Sequence, residues 1–266
     1  MSRVSWLLRK RLGYGLRNAA LAVLASALLL SAWALPANVS KKPLHIFFVD
    51  VEGGQATLFV TPDQHSLLID TGWPGNNGRD ADRIVALAKK AGISKIDDVL
   101  ITHFHEDHVG GLPQLVARIP VGTVIDHGDN RESTDAPTVE GWQAYQQLLA
   151  TKKFKRLTVK PGDSLPIGGI ETTVISSDGA VIDHPLPGAG QQNASCKNAE
   201  QFPTDQTENR RSLGTLITFG KLKILDLGDL TRDKEWSWCA RSISWVRSTS
   251  TSSLTMVGIK AVVPRS

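Results

Sequence analysis

The chain of 266 residues is long enough for one sizeable α/β domain, and its 41% hydrophobic content is ordinary for a globular protein. Its net charge of +4 resides at one end: residues 1–34 carry Arg3, Arg9, Lys10, Arg11 and Arg17 with no acid, which leaves 25 basic against 26 acidic groups in the remainder. That balance excludes a general electrostatic footprint for nucleic acid.

In chain order, the first predicted element is an export signal over residues 1–34. A basic stretch ends at Arg17, an apolar run follows from Ala19 to Leu35, and Ala32-Trp33-Ala34 gives the small-x-small pattern read by signal peptidase. The alternative is a retained anchor, since about 17 apolar residues just suffice to span a bilayer. Either reading puts the domain outside the cytoplasm, in the periplasm or secreted, and limits membrane contact to an uncleaved N-terminal segment. Cys196 and Cys239 can pair in such a compartment.

Leu44–Val51 is apolar and β-rich and reads as a buried strand. Turns at Glu52–Gln55 and Thr61–Asp63 separate it from strands at Ala56–Val60 and Ser66–Asp70, an antiparallel meander. Asp80–Ala91 sets Ile84, Val85, Leu87, Ala88 and Ala91 on one helical face and stops at Gly92. A strand at Asp98–Thr102 leads directly into a histidine cluster. Beyond it come a helix over Gly110–Ile119, a strand at Val121–Ile125, a helix over Val139–Lys152, and strands at Arg156–Val159 and Gly169–Ser176. Ser177–Arg211 reads as a long loop or lid. Leu213–Phe219 and Lys223–Leu227 form a hairpin about Gly220-Lys221, closed by Gly228-Asp229. The order fits two sheets with helices outside.

The chemistry concentrates in Thr102-His103-Phe104-His105-Glu106-Asp107-His108, which holds three of the seven histidines and follows a buried strand. Imidazole and carboxylate are a natural ligand set for Zn²⁺, with Mn²⁺ or Fe as alternates. His103-x-His105-x-Asp107-His108 resembles the HxHxDH motif of the metallo-β-lactamase superfamily. Asp50–Ala56, Leu68–Gly72 and Leu225–Leu230 fall in that family's order. The resemblance covers residues 44–235 and is nearest the branch containing the extracytoplasmic domain of DNA-uptake channel proteins and their secreted relatives.

It implies a four-layer αββα sandwich and a metal-dependent hydrolase holding up to two ions. Metal-activated hydroxide would attack an ester, amide or phosphodiester in a small-molecule or phosphodiester substrate. By that resemblance His103 and His105 bind one ion, and Asp107 and His108 the other. Asp229 bridges them, Asp107 also orients the nucleophile, and Asp70 orients the loop. His127, after the Val121–Ile125 strand, is expected to face substrate or to support a ligand.

Two departures stand out. The family's further histidine upstream of the bridging Asp is missing; Glu208-Asn209-Arg210-Arg211-Ser212 stands there, so Asn209 or Ser212, through water, or His184 from the lid would substitute. No histidine follows His184, and residues 236–266 are rich in Ser, Arg and Trp, unlike an evolved core. Back-translation one nucleotide out of register admits a strand followed by His-His-Gly, which points to a frameshift near Trp236. The tail would then be out of frame, the second half of the fold incomplete, Cys239 accidental, and activity impaired or lost.

Overall fold

The computed structural model describes residues 42–151, 153–184, 186 and 203–235, with the backbone of 259–262. The expected signal over residues 1–34, both cysteines and most of residues 236–266 lie outside the described residues. Among those described, no helix is long and apolar enough to cross a membrane.

Strands β1 (His45–Phe48), β2 (Thr57–Val60) and β3 (Ser66–Ile69) form the expected antiparallel meander. Helix α1 (Arg79–Lys90) then carries the chain to β4 (Ile96–Leu100), which pairs parallel to β3. Two short helices, α2 (Glu106–Val109) and α3 (Leu112–Val116), precede β5 (Val121–Asp126). Helix α4 (Ala136–Ala150) precedes β6 (Lys155–Thr158), and both of these strands extend the parallel run. Parallel neighbours require such crossovers, because a two-residue turn cannot return the chain to the same end. The second sheet has the order β11-β10-β9-β7-β8, all antiparallel, from β7 (Glu171–Ser177), β8 (Ala180–Val181), β9 (Gly214–Phe219), β10 (Leu222–Asp226) and β11 (Ile259–Val262).

Alternation along the strands sorts the core into layers. Leu58, Val60, Leu68, Val99 and Val124 face the helices and meet Ile84, Ala88, Leu112, Leu115 and Tyr145. Their neighbours Phe59, Leu67, Ile69, Leu100 and Ile125 face the other way and pack on Val174, Ile217 and Ile224 of the second sheet. Each such side chain, fully buried, contributes about 1.5–3 kcal/mol. A third apolar group, with Ile175, Leu216 and Leu225, lies on the far face of the second sheet. Among the described residues after β10, only 232–235 are helical.

Helix α1 begins and ends one residue before its expected bounds. Asp80 and Asp82 in its first turn and Lys89 and Lys90 in its last suit the helix dipole. Three expectations change. The apolar run at Leu44–Val51 is an edge strand rather than a buried one, and Phe48 is 61% exposed. The helix placed over Gly110–Ile119 is shorter, and a separate helical turn, α2, begins inside the histidine motif. The stretch read as lid contains β8 and a 3₁₀ turn at Glu208–Arg211.

Candidate metal centre

In sheets with parallel strands, functional groups gather beyond the carboxyl ends of the strands. Here the ends of the adjacent strands β3, β4 and β5 deliver Asp70, the segment from Thr102 to His108, and His127. Asp229 arrives from the second sheet, three residues beyond β10. Two glycines allow this convergence. A Cβ on Gly54 would stand 2.1 Å from the Asp107 carbonyl oxygen, where the Gln55 amide now bonds that oxygen at 3.1 Å. Gly228 has φ +53 and would press a Cβ to 2.7 Å from that of Thr102.

Asp70 organises the loop. It sits fully buried in the left-handed region at φ 59, a conformation Asp tolerates better than most residues. Its Oδ1 accepts the Thr102 amide at 2.8 Å, and its Oδ2 accepts the Thr102 hydroxyl at 2.7 Å. That same Oδ2 lies 2.7 Å from His108 Nδ1. A carboxylate only accepts, so His108 carries its proton on Nδ1 and turns Nε2 inward. The Thr102 hydroxyl, having donated to Asp70, accepts from His103 Nδ1 at 3.0 Å, which leaves His103 Nε2 as a bare lone pair.

His105 is oriented from elsewhere. Its Nε2 lies 3.1 Å from Glu132 Oε2, so Nδ1 is the free nitrogen, and Nδ1 stands 3.1 Å from His103 Nε2. Two imidazole lone pairs facing each other at that distance repel unless a cation lies between them. Two nitrogens bound tetrahedrally to one Zn²⁺ are separated by about 3.3 Å. His108 Nε2 is 3.6 Å from Asp107 Oδ2 and 3.6 Å from Asp229 Oδ1. One ligand atom each from His103, His108 and Asp229 lie within 4.8 Å of one another. The Asn209 side chain borders His103 closely enough to favour its charged form, yet its buried Oδ1 makes no hydrogen bond. Lone pairs without donors are what a cation site requires, so these residues fit divalent metal.

Electrostatics agree. Burial, aided by the neighbouring His108 and His105, holds the His103 pKa well below the ordinary value, so it is neutral and ready to ligate. Burial also opposes charge on His108, but Asp70, Asp229 and Asp107 outweigh it and raise the pKa to about 10. Asp107 is pushed up, first by burial and then by Asp229. Burial would also raise Asp229, but its contact with His108 overrides this and lowers it.

Six of the seven predicted residues therefore meet at one centre. The seventh, His127, is 3% exposed, packs on the Phe104 ring at 4.8 Å and bonds Glu208 at 3.0 Å. His184 pairs with Asp183 on the surface and is not among the gathered ligands. Glu132, Glu208 and Gln55 were not anticipated. Gln55 Nε2 donates to the buried Asp226 Oδ2 at 2.8 Å, tying the turn after β1 to the end of β10. Burial raises the Asp226 pKa to about 7. A signal for Gln55 was available, since it lies inside a motif already singled out. Glu208 likewise opens the segment singled out for the missing histidine, whereas Glu132 carried none.

Residues 49–192 match the family profile described as the Metallo-beta-lactamase superfamily. A hydroxyacylglutathione hydrolase of Rhodopseudomonas palustris is 31% identical over 105 residues, which is 40% of this chain and 33% of that protein. A ribonuclease Z of Methanopyrus kandleri is 32% identical over 117 residues, 43% of this chain and 37% of that protein. Among solved structures, the metallo-beta-lactamase fold protein YhfI from Bacillus subtilis aligns with a TM-score of 0.42 at 17% identity, over 70% of this chain and 62% of that one. The chain thus spans about a third of the length of these curated relatives.

Proposed function

The chain belongs to the metallo-beta-lactamase superfamily, and we propose that it is an exported, metal-dependent hydrolase of an ester, amide or phosphodiester. The observation that carries this reading is the 3.1 Å approach of His103 Nε2 to His105 Nδ1, each ring held by a protein oxygen at its other nitrogen. On this reading His103 and His105 hold one cation, with Asn209 Oδ1 in the place of a third imidazole. His108 Nε2 and Asp107 would hold a second, and Asp229 would serve as a shared ligand. Imidazole-rich coordination favours zinc, while the amide oxygen leaves room for manganese. Bound there, the ions would acidify a water and polarise the oxygen of the substrate's reacting group. Asp107, partly exposed and 3.6 Å from His108 Nε2, would also orient that water. Asp70 keeps His108 in one tautomer throughout.

Export is supported by the composition of residues 1–34. The substrate is bounded by chemistry alone: the curated relatives are named for a hydroxyacylglutathione and for RNA, so both small-molecule and phosphodiester substrates belong in the test. A second reading, a catalytically impaired member with an out-of-frame tail, is favoured by the lack of histidine after His184. Assaying phosphodiester, thioester and lactam substrates on the full chain and on a version with the alternative frame restored separates the two. Hydrolysis by the full chain, abolished by His105→Ala, supports the enzyme; activity only after restoration supports the second reading. Metal-loaded protein inert in both versions would refute hydrolysis.

A further inference from the structure

Glu132 lies in the loop between β5 and α4, outside every motif, yet its side chain is only 9% exposed and bonds a residue of the metal loop. Its Oε2 is 3.1 Å from His105 Nε2 and also accepts the Glu208 amide at 2.8 Å. Glu208 reciprocates: its Oε1 accepts the Arg131 amide at 2.8 Å, and its Oε2 lies 3.0 Å from His127 Nε2. Two loops 76 residues apart in sequence are thereby joined through each other's carboxylates and backbone amides. Asn130 stiffens the first loop, accepting the Glu132 amide and donating to the Glu132 carbonyl, both at 2.8 Å.

We propose that Glu132, interlocked with Glu208, is the positioning residue of the metal centre, fixing His105 as its Nε2–H tautomer and aiming Nδ1 at His103 Nε2. The proposal rests on the metal-site reading given above. Without Glu132, the His105 ring has no partner holding its outer nitrogen, and either tautomer and several ring orientations become open to it. Carboxylates that orient metal-binding imidazoles in this way typically change metal affinity by about 10–100-fold when removed. The same clamp ties down the first residue of the 3₁₀ turn at Glu208–Arg211, whose second residue, Asn209, borders His103.

The test uses the full chain with zinc and, separately, cobalt as probes. Glu132→Ala is expected to weaken zinc binding by about 10–100-fold and to alter the visible absorption of the cobalt form. Glu132→Gln is expected to recover most of the affinity, because one amide oxygen can accept both the His105 ring proton and the Glu208 amide. Ile84→Val, in the fully buried core away from the site, controls for general loss of stability and should lower the melting temperature without moving affinity. Long-range proton–nitrogen spectra of the metal-free protein should show His105 protonated on Nε2 in the wild type and mixed in Glu132→Ala. Unchanged affinity and cobalt spectrum in Glu132→Ala, or a wild-type His105 protonated on Nδ1, would overturn the proposal. A wild type that takes up no metal overturns the function proposed above, and the proton position then decides the clamp separately.

Discussion

From Asp70 to His108 each histidine has one ring nitrogen committed to a protein oxygen, whereas between Asn209 and Thr215 three buried side-chain oxygens, Asn209 Oδ1, Ser212 Oγ and Thr215 Oγ1, have no partner. The first region is over-determined: the Asp70 carboxylate alone holds two groups of Thr102 and one of His108. The second is bound chiefly by backbone, through Leu213 N to Thr102 O at 2.7 Å, and by the Glu132–Glu208 clamp. A buried polar atom without a partner costs about 1–3 kcal/mol. The contrast teaches that the loop after β4 is held by its own side-chain hydrogen bonds, while the segment facing it is positioned from outside, by backbone and by the Glu132–Glu208 pair.

The largest expected effect comes from breaking the organised side. Asp70→Ala leaves the Thr102 amide and hydroxyl without their acceptor and takes from the charged His108 its nearest carboxylate. The expected loss is about 3–5 kcal/mol, read as a lower urea midpoint, with metal binding lost as well. A variant as stable as wild type would show that the loop is held by something other than Asp70.

Next is pH. In the metal-free protein His108 is protonated up to about pH 10, so a metal that uses its Nε2 competes with the charged imidazolium. Apparent zinc affinity should rise about tenfold per pH unit between 6.5 and 9, with about one proton released per ion bound. The sign for stability is opposite. A histidine whose folded pKa is raised stabilises fully below its unfolded value near 6.5, and this contribution is lost as pH rises through about 10. Metal-free melting temperatures should therefore fall across that window; a rise would contradict the Asp70–His108 pairing.

Smaller effects sharpen the other side. Asn209→His supplies a third imidazole and should tighten zinc binding by about tenfold or more. Asn209→Ala removes an unpartnered oxygen, so metal-free stability should change by less than about 1 kcal/mol while zinc affinity drops. Loss of stability without loss of affinity would make Asn209 a purely structural residue.

Much of this was legible in the sequence. Helix α1 announced itself by its period and terminal glycine, and the sheet strands by apolar runs between turns. The histidine loop was legible because its ligand-type residues are adjacent in the chain, whereas Asp229 entered only through the family resemblance. What stayed hidden depends on contacts between distant segments. Glu132 sits in a polar loop, and nothing in its neighbours separates it from a solvated acid; Glu208 heads a segment already singled out, but its burial depends on the distant Glu132 loop. The β1 run looks buried because apolar content records strand propensity, whereas its edge place is set by the pairing of the other strands. The start of α2 within the histidine motif was equally hidden, because four helical residues give no period to read.

The most direct measurement is the metal content of folded full-length protein after equilibration with zinc at pH 8 and removal of free ion. Retention of at least one ion per chain, lost in His103→Ala and His105→Ala while their folded spectra persist, is the predicted result. Folded protein that emerges empty, or variants that hold as much zinc as the wild type, would contradict a metal centre built on these histidines.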